Sequence, residues 1–153
     1  MKEIVGYLPD ETYRLILRSV PLACVEAAIV DEKRKEYLLG KRTRNPGKGM
    51  WGVIGGRVFR GESLEEALQR ELEREAEIKK FNYQFVAHES LFAETSEVGE
   101  EYHVISHIYK ITTDETPQIT EENSEFKWFK RPESSWHHSA TRIISQLQKH
   151  LTW

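Results

Sequence analysis

The sequence predicts an α+β fold, a mixed β-sheet with helices between its strands and at the end of the chain. Two observations carry this. Several short runs rich in Val, Ile, Ala and aromatic residues are separated by turn-forming residues, as antiparallel strands are. Two other segments repeat apolar residues at helical spacing: Leu64, Leu68 and Leu72, then Ile143, Ile144, Leu147 and Leu151. The length of 153 residues suits a single domain, taken as 1–153, with a sizeable core.

The elements follow in chain order. Pro9 to Arg18 reads as a short helix that Asp10 is able to cap. Val20 to Val30 is an almost unbroken apolar run and reads as a buried strand. Asp31 to Lys35 is a charged turn, and Glu36 to Arg42 is its hairpin partner. The Asn-Pro and Pro-Gly pairs of Arg44 to Gly49 mark a loop. Trp51 to Ile54 is a short strand leading to a glycine pair. Phe81 to Phe92 and Tyr102 to Ile111 read as an antiparallel pair joined by the acidic turn Ala93 to Glu101. Asp114 to Glu122 is a polar loop, Phe126 to Lys130 a short strand, and Arg142 to Leu151 a closing helix.

Composition narrows the class. Hydrophobic residues make up 39% and charged residues 31%, the balance of a soluble globular protein. The net charge of −3 argues against a broad nucleic-acid-binding surface. No apolar run is long enough to span a membrane, and no signal-peptide pattern is present, so a cytoplasmic protein is expected. The single Cys24 excludes an internal disulfide and a cysteine zinc site. The four tryptophans are expected to be core or interface aromatics, and the six histidines lack metal-ligand spacing.

The chemistry concentrates in Gly55 to Ile78, GGRVFRGESLEEALQRELEREAEI. Ser63 with Glu66 three residues later forms a capping-box pattern at a helix start. Glu71 and Glu75 are four apart and project side by side. Two like charges so placed repel by a few tenths of a kcal/mol unless a cation lies between them. Carboxylate oxygens suit Mg²⁺, which shares its shell with substrate phosphates. The same helix also reads as a solvated face with Glu66–Arg70 and Glu71–Arg74 pairs.

The register of this stretch resembles the Nudix box, G-x5-E-x7-R-E-U-x-E-E-x-G-U with U aliphatic. The glycines, Glu62, Arg70, Glu71, Leu72, Glu75 and Ile78 match. Arg74 stands where the first Glu of the EE pair is expected, and Glu77 where a Gly is expected. Two further segments, Arg18-Ser19-Val20-Pro21-Leu22 and LLGKRTRNPGKGMWGVIGGRV from Leu38 to Val58, resemble the GDP-mannose mannosyl hydrolase branch. The resemblance covers most of the first half and weakens beyond residue 80. It implies a mixed sheet sandwiched between helices, an α/β/α arrangement.

The resemblance also implies a site. Mg²⁺, with Mn²⁺ as a substitute, would be held by the Gly55 carbonyl, Glu75 and Glu122. Glu122 stands where that branch has a glutamine. Arg42 and Arg57 would stabilise the nucleotide leaving group, since guanidinium forks match phosphate oxygens. The alternative for both is a surface charge near a turn. Glu71 corresponds to a glutamate that the mannosyl hydrolases lack and other Nudix enzymes use as ligand or base. Glu26 corresponds to an aspartate that contacts the sugar nucleotide, or else belongs to a buried salt bridge.

Asn123 replaces the histidine general base, and Asn cannot accept a proton near neutral pH. Arg74 either stands in for a metal ion or pairs with Glu71. Glu77 either keeps a left-handed helix cap, at about 1 kcal/mol, or lets the helix run on toward Lys79 and Lys80. Ile54, in place of a usual proline, reads as a packing change.

The expected function is Mg²⁺-dependent hydrolysis of a nucleoside diphosphate linked to another group, with a nucleotide sugar first. The alternatives are a pyrophosphohydrolase of nucleoside triphosphates or ADP-ribose, and a catalytically weak nucleotide-binding module. The expected partner is a nucleotide small molecule, with a homodimer as a compatible assembly.

Overall fold

The computed structural model describes residues 5–153, with the backbone alone described at 93–95. The first four residues of the expected domain, and the start of the acidic turn, therefore lie outside what is described in full. Three helices and seven strands follow in the order α1 (Asp10–Ser19), β1 (Leu22–Asp31), β2 (Glu36–Arg42), β3 (Trp51–Gly52), β4 (Ile54–Arg57), α2 (Leu64–Ala76), β5 (Asn82–Thr95), β6 (Glu101–Thr112), β7 (Asn123–Phe129) and α3 (His138–Gln148). The seven strands form one sheet with the path β3-β2-β1-β6-β5, while β4 pairs with β1 and β7 with β2. The β1–β6 pairing is parallel and the others are antiparallel, so the sheet is mixed.

β1 lies at the centre, and both of its faces are covered. That is why it reads as a continuous apolar run rather than an alternating one. Val25, Ala27 and Ile29 face one core with Leu68, Leu72 and Ala76 of α2. Ala28 and Val30 face the other with Ile143, Ile144 and Leu147 of α3. The expected α+β sandwich of a sheet between helices is therefore present. α1 packs at one end, where Leu17 meets Leu22 and Cys24. No helix among the described residues is long and apolar enough to cross a membrane.

The departures have local causes. Asp10 does not cap α1; Pro9 occupies the N-cap position without a side-chain cap, and Asp10 lies in the first turn. The single strand expected at Trp51 to Ile54 is two strands, because the chain leaves β2 after Gly52 and joins β1 at Ile54. β7 begins at Asn123 rather than Phe126, extended by pairing of Asn123 with Arg42 across an irregularity in β2. α3 starts earlier, at His138, where the His137 side chain accepts the Ser139 N–H. Leu151 follows the helix and still packs against its core.

α2 is capped as read. The Ser63 hydroxyl accepts from Glu66 N–H at 3.1 Å, and the Glu66 carboxylate accepts from Ser63 N–H at 3.4 Å. The helix does not run on to Lys79. Glu77 adopts the left-handed conformation, φ 55° and ψ 31°, and its N–H returns to Glu73 O at 3.0 Å. The next residue, Ile78, is fully buried and its N–H reaches Leu72 O. Burying Ile78 contributes about 1.5–3 kcal/mol, which exceeds the ~1–2 kcal/mol cost of a non-glycine left-handed residue.

Candidate active site

The site forms where β4 passes between the two faces of the sheet. Two glycines in succession would weaken an ordinary strand, but here each one admits a carboxylate. A Cβ on Gly55 would lie 2.3 Å from Glu26 Oε2 and 2.4 Å from the Val25 carbonyl oxygen. A Cβ on Gly56 would lie 2.5 Å from Glu71 Oε1. The glycines therefore let the α2 carboxylates and the β1 carboxylate approach one strand closely.

On the α2 side, Glu71 and Glu75 are 3% and 5% exposed, so the reading of a solvated face is wrong at these positions. Ala67, Leu68, Leu72 and Ala76 bury the helix face beside them and carry both carboxylates inward. Glu75 Oε2 accepts from Gly55 N–H at 2.9 Å, and Oε1 accepts from the Asn123 amide at 3.2 Å. Both are neutral donors. Burial pushes the Glu75 carboxyl up to about 7; the Glu71 charge adds to the rise, and Arg74 opposes it.

Two arginines hold Glu71. Its Oε1 accepts from Arg70 Nη1 and its Oε2 from Arg74 Nη2, each at 2.5 Å. Arg74 also reaches Glu122 Oε1 at 2.8 Å, so one guanidinium joins α2 to the loop before β7. Desolvation pulls the Arg74 proton affinity down, but Glu71, Glu75 and Glu122 outweigh it and raise it above the usual arginine value. The loop is fastened to the end of α2 by Gln118 N–H to Ala76 O and by the Thr120 hydroxyl to Glu75 O.

Arg70 does not pair with Glu66, whose carboxylate is used in the cap. It grips Glu62 through two bonds, Nε to Oε2 at 2.7 Å and Nη2 to Oε1 at 2.9 Å, and Nη2 also donates to the Arg57 carbonyl. Its guanidinium carbon lies 3.6 Å from the Phe59 ring centroid. Burial alone would raise the Glu62 carboxyl; the bonds from Arg70 and from Phe59 N–H hold it below the ordinary value.

On the other face, a cavity of about 210 Å³ is lined by Glu26, Arg42, Gly55, Gly56 and Arg57, with Tyr13 and Tyr102 among its other walls. Glu26 Oε1 accepts from the Ser106 hydroxyl at 2.9 Å. Burial raises its carboxyl to about 8 against the Ser106 bond and the Arg42 charge, with Glu75 and Glu71 adding to the rise. Arg42 Nε donates to Pro46 O at 2.6 Å, and Arg57 Nη2 to Gly6 O at 2.6 Å. Arg57 also lies over Phe59, with 4.8 Å from its guanidinium carbon to the ring centroid. Neither arginine is a loose surface charge.

The residues expected from the sequence thus fall into two groups that share Gly55. Glu26, Arg42 and Arg57 face the cavity. Glu71, Glu75 and Glu122 lie on the α2 side, with Arg74 joining the first to the last. Glu26 takes its bond from a hydroxyl rather than from a salt-bridge partner. Ser106, Tyr13 and Tyr102 were not foreseen; the parallel β1–β6 pairing and the packing of α1 bring them in, and no local pattern marks them.

Comparison with known proteins gives a consistent picture. The family model of the NUDIX domain matches residues 21–147. The low-salt glycan biosynthesis protein Agl8 of Haloferax volcanii is 29% identical over 143 residues, covering 92% of this chain and 90% of that protein. An ADP-ribose pyrophosphatase of Methanocaldococcus jannaschii is 40% identical over 74 residues, covering 48% of this chain and 41% of that protein. Among solved structures, a MutT NUDIX hydrolase from Burkholderia pseudomallei superposes with a TM-score of 0.71 at 24% identity, over 84% of this chain and 99% of that one.

Proposed function

We propose a reaction for a chain that belongs to the NUDIX domain family, the Nudix hydrolases: hydrolysis of a nucleoside diphosphate linked to a sugar. One arrangement carries this reading. Arg42 and Arg57 share a cavity with Glu26, and its Gly55–Gly56 wall is backed by Glu71 and Glu75. Two guanidinium forks suit a diphosphate. A carboxyl fixed by Ser106 suits the hydroxyl donors of a sugar or the N–H donors of a base. Similarity over nearly the whole length of a protein named for glycan biosynthesis supports the sugar side.

The family implies a divalent cation, and the residues fit one. All the donors are oxygens, as Mg²⁺ and Mn²⁺ prefer. Glu75 is buried and accepts only from two neutral donors, the Gly55 N–H and the Asn123 amide, so its carboxylate has no counter-charge in contact among the described residues. Glu75 and the Gly55 carbonyl would hold the ion, while Glu71 and Glu122, also expected as ligands, are engaged by Arg74. When bound, it would offset charge growing on the phosphates. Arg42 and Arg57 would offset charge on the leaving group.

Asn123 bears on which bond breaks. Its amide is engaged with Glu75 and takes no proton, so attack at the sugar carbon lacks the base that the mannosyl hydrolases use. A general base is commonly worth roughly 10²–10⁴-fold. Attack of water at phosphorus therefore competes, with Glu71, whose carboxylate abuts Gly56, as the acceptor of the water's proton. Water's oxygen would join one phosphorus as that phosphorus's bond to the bridging oxygen breaks, and the proton taken up by Glu71 would be returned to the departing phosphate, giving a nucleoside monophosphate and a sugar phosphate.

A second reading, a pyrophosphohydrolase of ADP-ribose or nucleoside triphosphates, is favoured by the 40% identity to an ADP-ribose pyrophosphatase. A third, a nucleotide-binding module of weak activity, is favoured by Arg74 and Asn123 at positions where this family has metal- or proton-binding groups. A panel of nucleotide sugars, ADP-ribose and nucleoside triphosphates with Mg²⁺, scored by product identity, separates the three. The proposal expects the highest kcat/KM on a nucleotide sugar. Turnover confined to triphosphates, or tight binding without turnover, would replace it.

A further inference from the structure

We propose that Arg74 is a built-in cation, which occupies Glu71 and Glu122 and leaves the site with one divalent metal ion per chain, carried by Glu75. This rests on the metal-dependent reading above and deepens it.

The charges around α2 sort into two sets. Glu71 and Glu122 make one. Arg70 and Arg74 take both oxygens of Glu71 at 2.5 Å, and Arg74 takes Glu122 at 2.8 Å. With Glu62 on Arg70 and Arg44 at 3.6 Å from Glu122, three carboxylates thus face three guanidiniums. Arg74 is held in place from both sides, from its own helix three residues back and from a loop sewn to the helix end by Gln118 and Thr120. A guanidinium keeps its charge at any working pH, so it balances carboxylates permanently.

Glu75 makes the other set. Among the described residues it has no ion-pair partner and accepts only from the Gly55 N–H and the Asn123 amide. It is 5% exposed, and a buried carboxylate served by neutral donors alone is costly. This is the carboxylate that gains from a cation. No three acidic, histidine or cysteine side chains converge as a metal cluster among the described residues. Arg74, placed between Glu71 and Glu122, keeps them from joining Glu75 in one.

The test counts ions. The folded full chain is titrated with Mn²⁺ alone, and free Mn²⁺ is followed by electron paramagnetic resonance, with circular dichroism confirming the fold of each variant. The expected result is one Mn²⁺ in the wild type, two in Arg74→Glu, one in Arg74→Lys, and none in Glu75→Gln. Should Arg74→Glu not fold, Arg74→Gln serves; it removes the guanidinium that joins the two carboxylates, leaving Glu71 to Arg70 and Glu122 to Arg44, and is expected to take a second, weaker ion. Two ions in the wild type, or one ion in a folded Arg74→Glu or Arg74→Gln, would overturn the role of Arg74 and leave the proposed function standing. No bound ion in the wild type would overturn the metal-dependent reading, and this proposal with it.

Discussion

The side-chain amide of Asn123 donates to Glu75 Oε1 across 3.2 Å, between two residues that are both buried and 48 positions apart. Its Oδ1 fills the space beside Gly40, where a Cβ would come within 2.3 Å. Replacing the donor by an acceptor sets two buried carboxylates against each other. Asn123→Asp is expected to cost about 1–3 kcal/mol at pH 8 and less at pH 5, where the pair shares a proton. Urea unfolding at the two pH values checks it. Asn123→His is larger than its place against Gly40, so it is expected to lower stability without restoring attack at carbon.

The buried carboxyls give the metal-free protein an unusual pH dependence. Glu75 and Glu26 have folded values of about 7 and about 8, above the ordinary 4.5. Between 4.5 and those values the folded state binds more protons than the unfolded state, so stability falls as pH rises. Glu62 acts oppositely: its lowered value contributes stability that is present above the ordinary carboxylate value and lost in acid. Melting with a chelator present should therefore drop between pH 5 and 8, by more than about 5 °C. Glu75→Gln should flatten the lower part of that slope and Glu26→Gln the upper part. A Tm that rises from pH 5 to 8 would contradict the burial of charge at this site.

The glycine pair is predicted to be intolerant of a methyl group. Gly55→Ala meets the Val25 carbonyl at 2.4 Å as well as Glu26, and a backbone oxygen cannot swing aside. Gly56→Ala meets only the end of the Glu71 side chain. Gly55→Ala is thus expected to lose about 2 kcal/mol or more, and Gly56→Ala less. Gly56→Ala should still displace Glu71 from Arg70 and reduce turnover. Equilibrium unfolding and steady-state kinetics on both variants separate the two effects.

Arg70 ties Glu62, Glu71 and the Arg57 carbonyl together over the Phe59 ring. A lysine keeps the charge but not the fork or the stacking surface. Arg70→Lys is expected to lose about 1–3 kcal/mol of stability and to reduce kcat more than it raises KM, because Glu71 and the strand bearing Arg57 both shift. Unchanged stability in Arg70→Lys would show that charge alone matters at this position.

The bond broken is read from heavy-oxygen water. With a nucleotide sugar as substrate, the label is expected in a phosphate of the products, with nucleoside monophosphate formed. Label confined to the free sugar, with nucleoside diphosphate as the other product, would show attack at carbon without the histidine.

Much of this protein was legible from its local sequence. The capping box of Ser63 and Glu66, the Leu68–Leu72 stripe and the side-by-side Glu71 and Glu75 all depend on helical spacing within a dozen residues, and the structure keeps them. The covered faces of β1 were visible in its unbroken apolar run. Glu77 was undecided because a left-handed cap and a longer helix differ by about 1 kcal/mol locally; the buried Ile78, a tertiary contact, decided it.

Sequence by itself determined the α+β class, the positions of the strands and helices within a few residues, and the acidic helix behind two glycines. Only the tertiary structure decided what those acids face. Glu71 meets Arg74 through helical spacing, but Glu75 meets Asn123, and Arg74 meets Glu122, through the folding of a late loop onto α2. Glu26 meets Ser106 through the parallel pairing of β1 with β6, 80 positions away. The reason is physical. Spacing along a helix fixes which neighbours on that helix can touch, whereas partners far along the chain are chosen by burial and charge balance across the whole core.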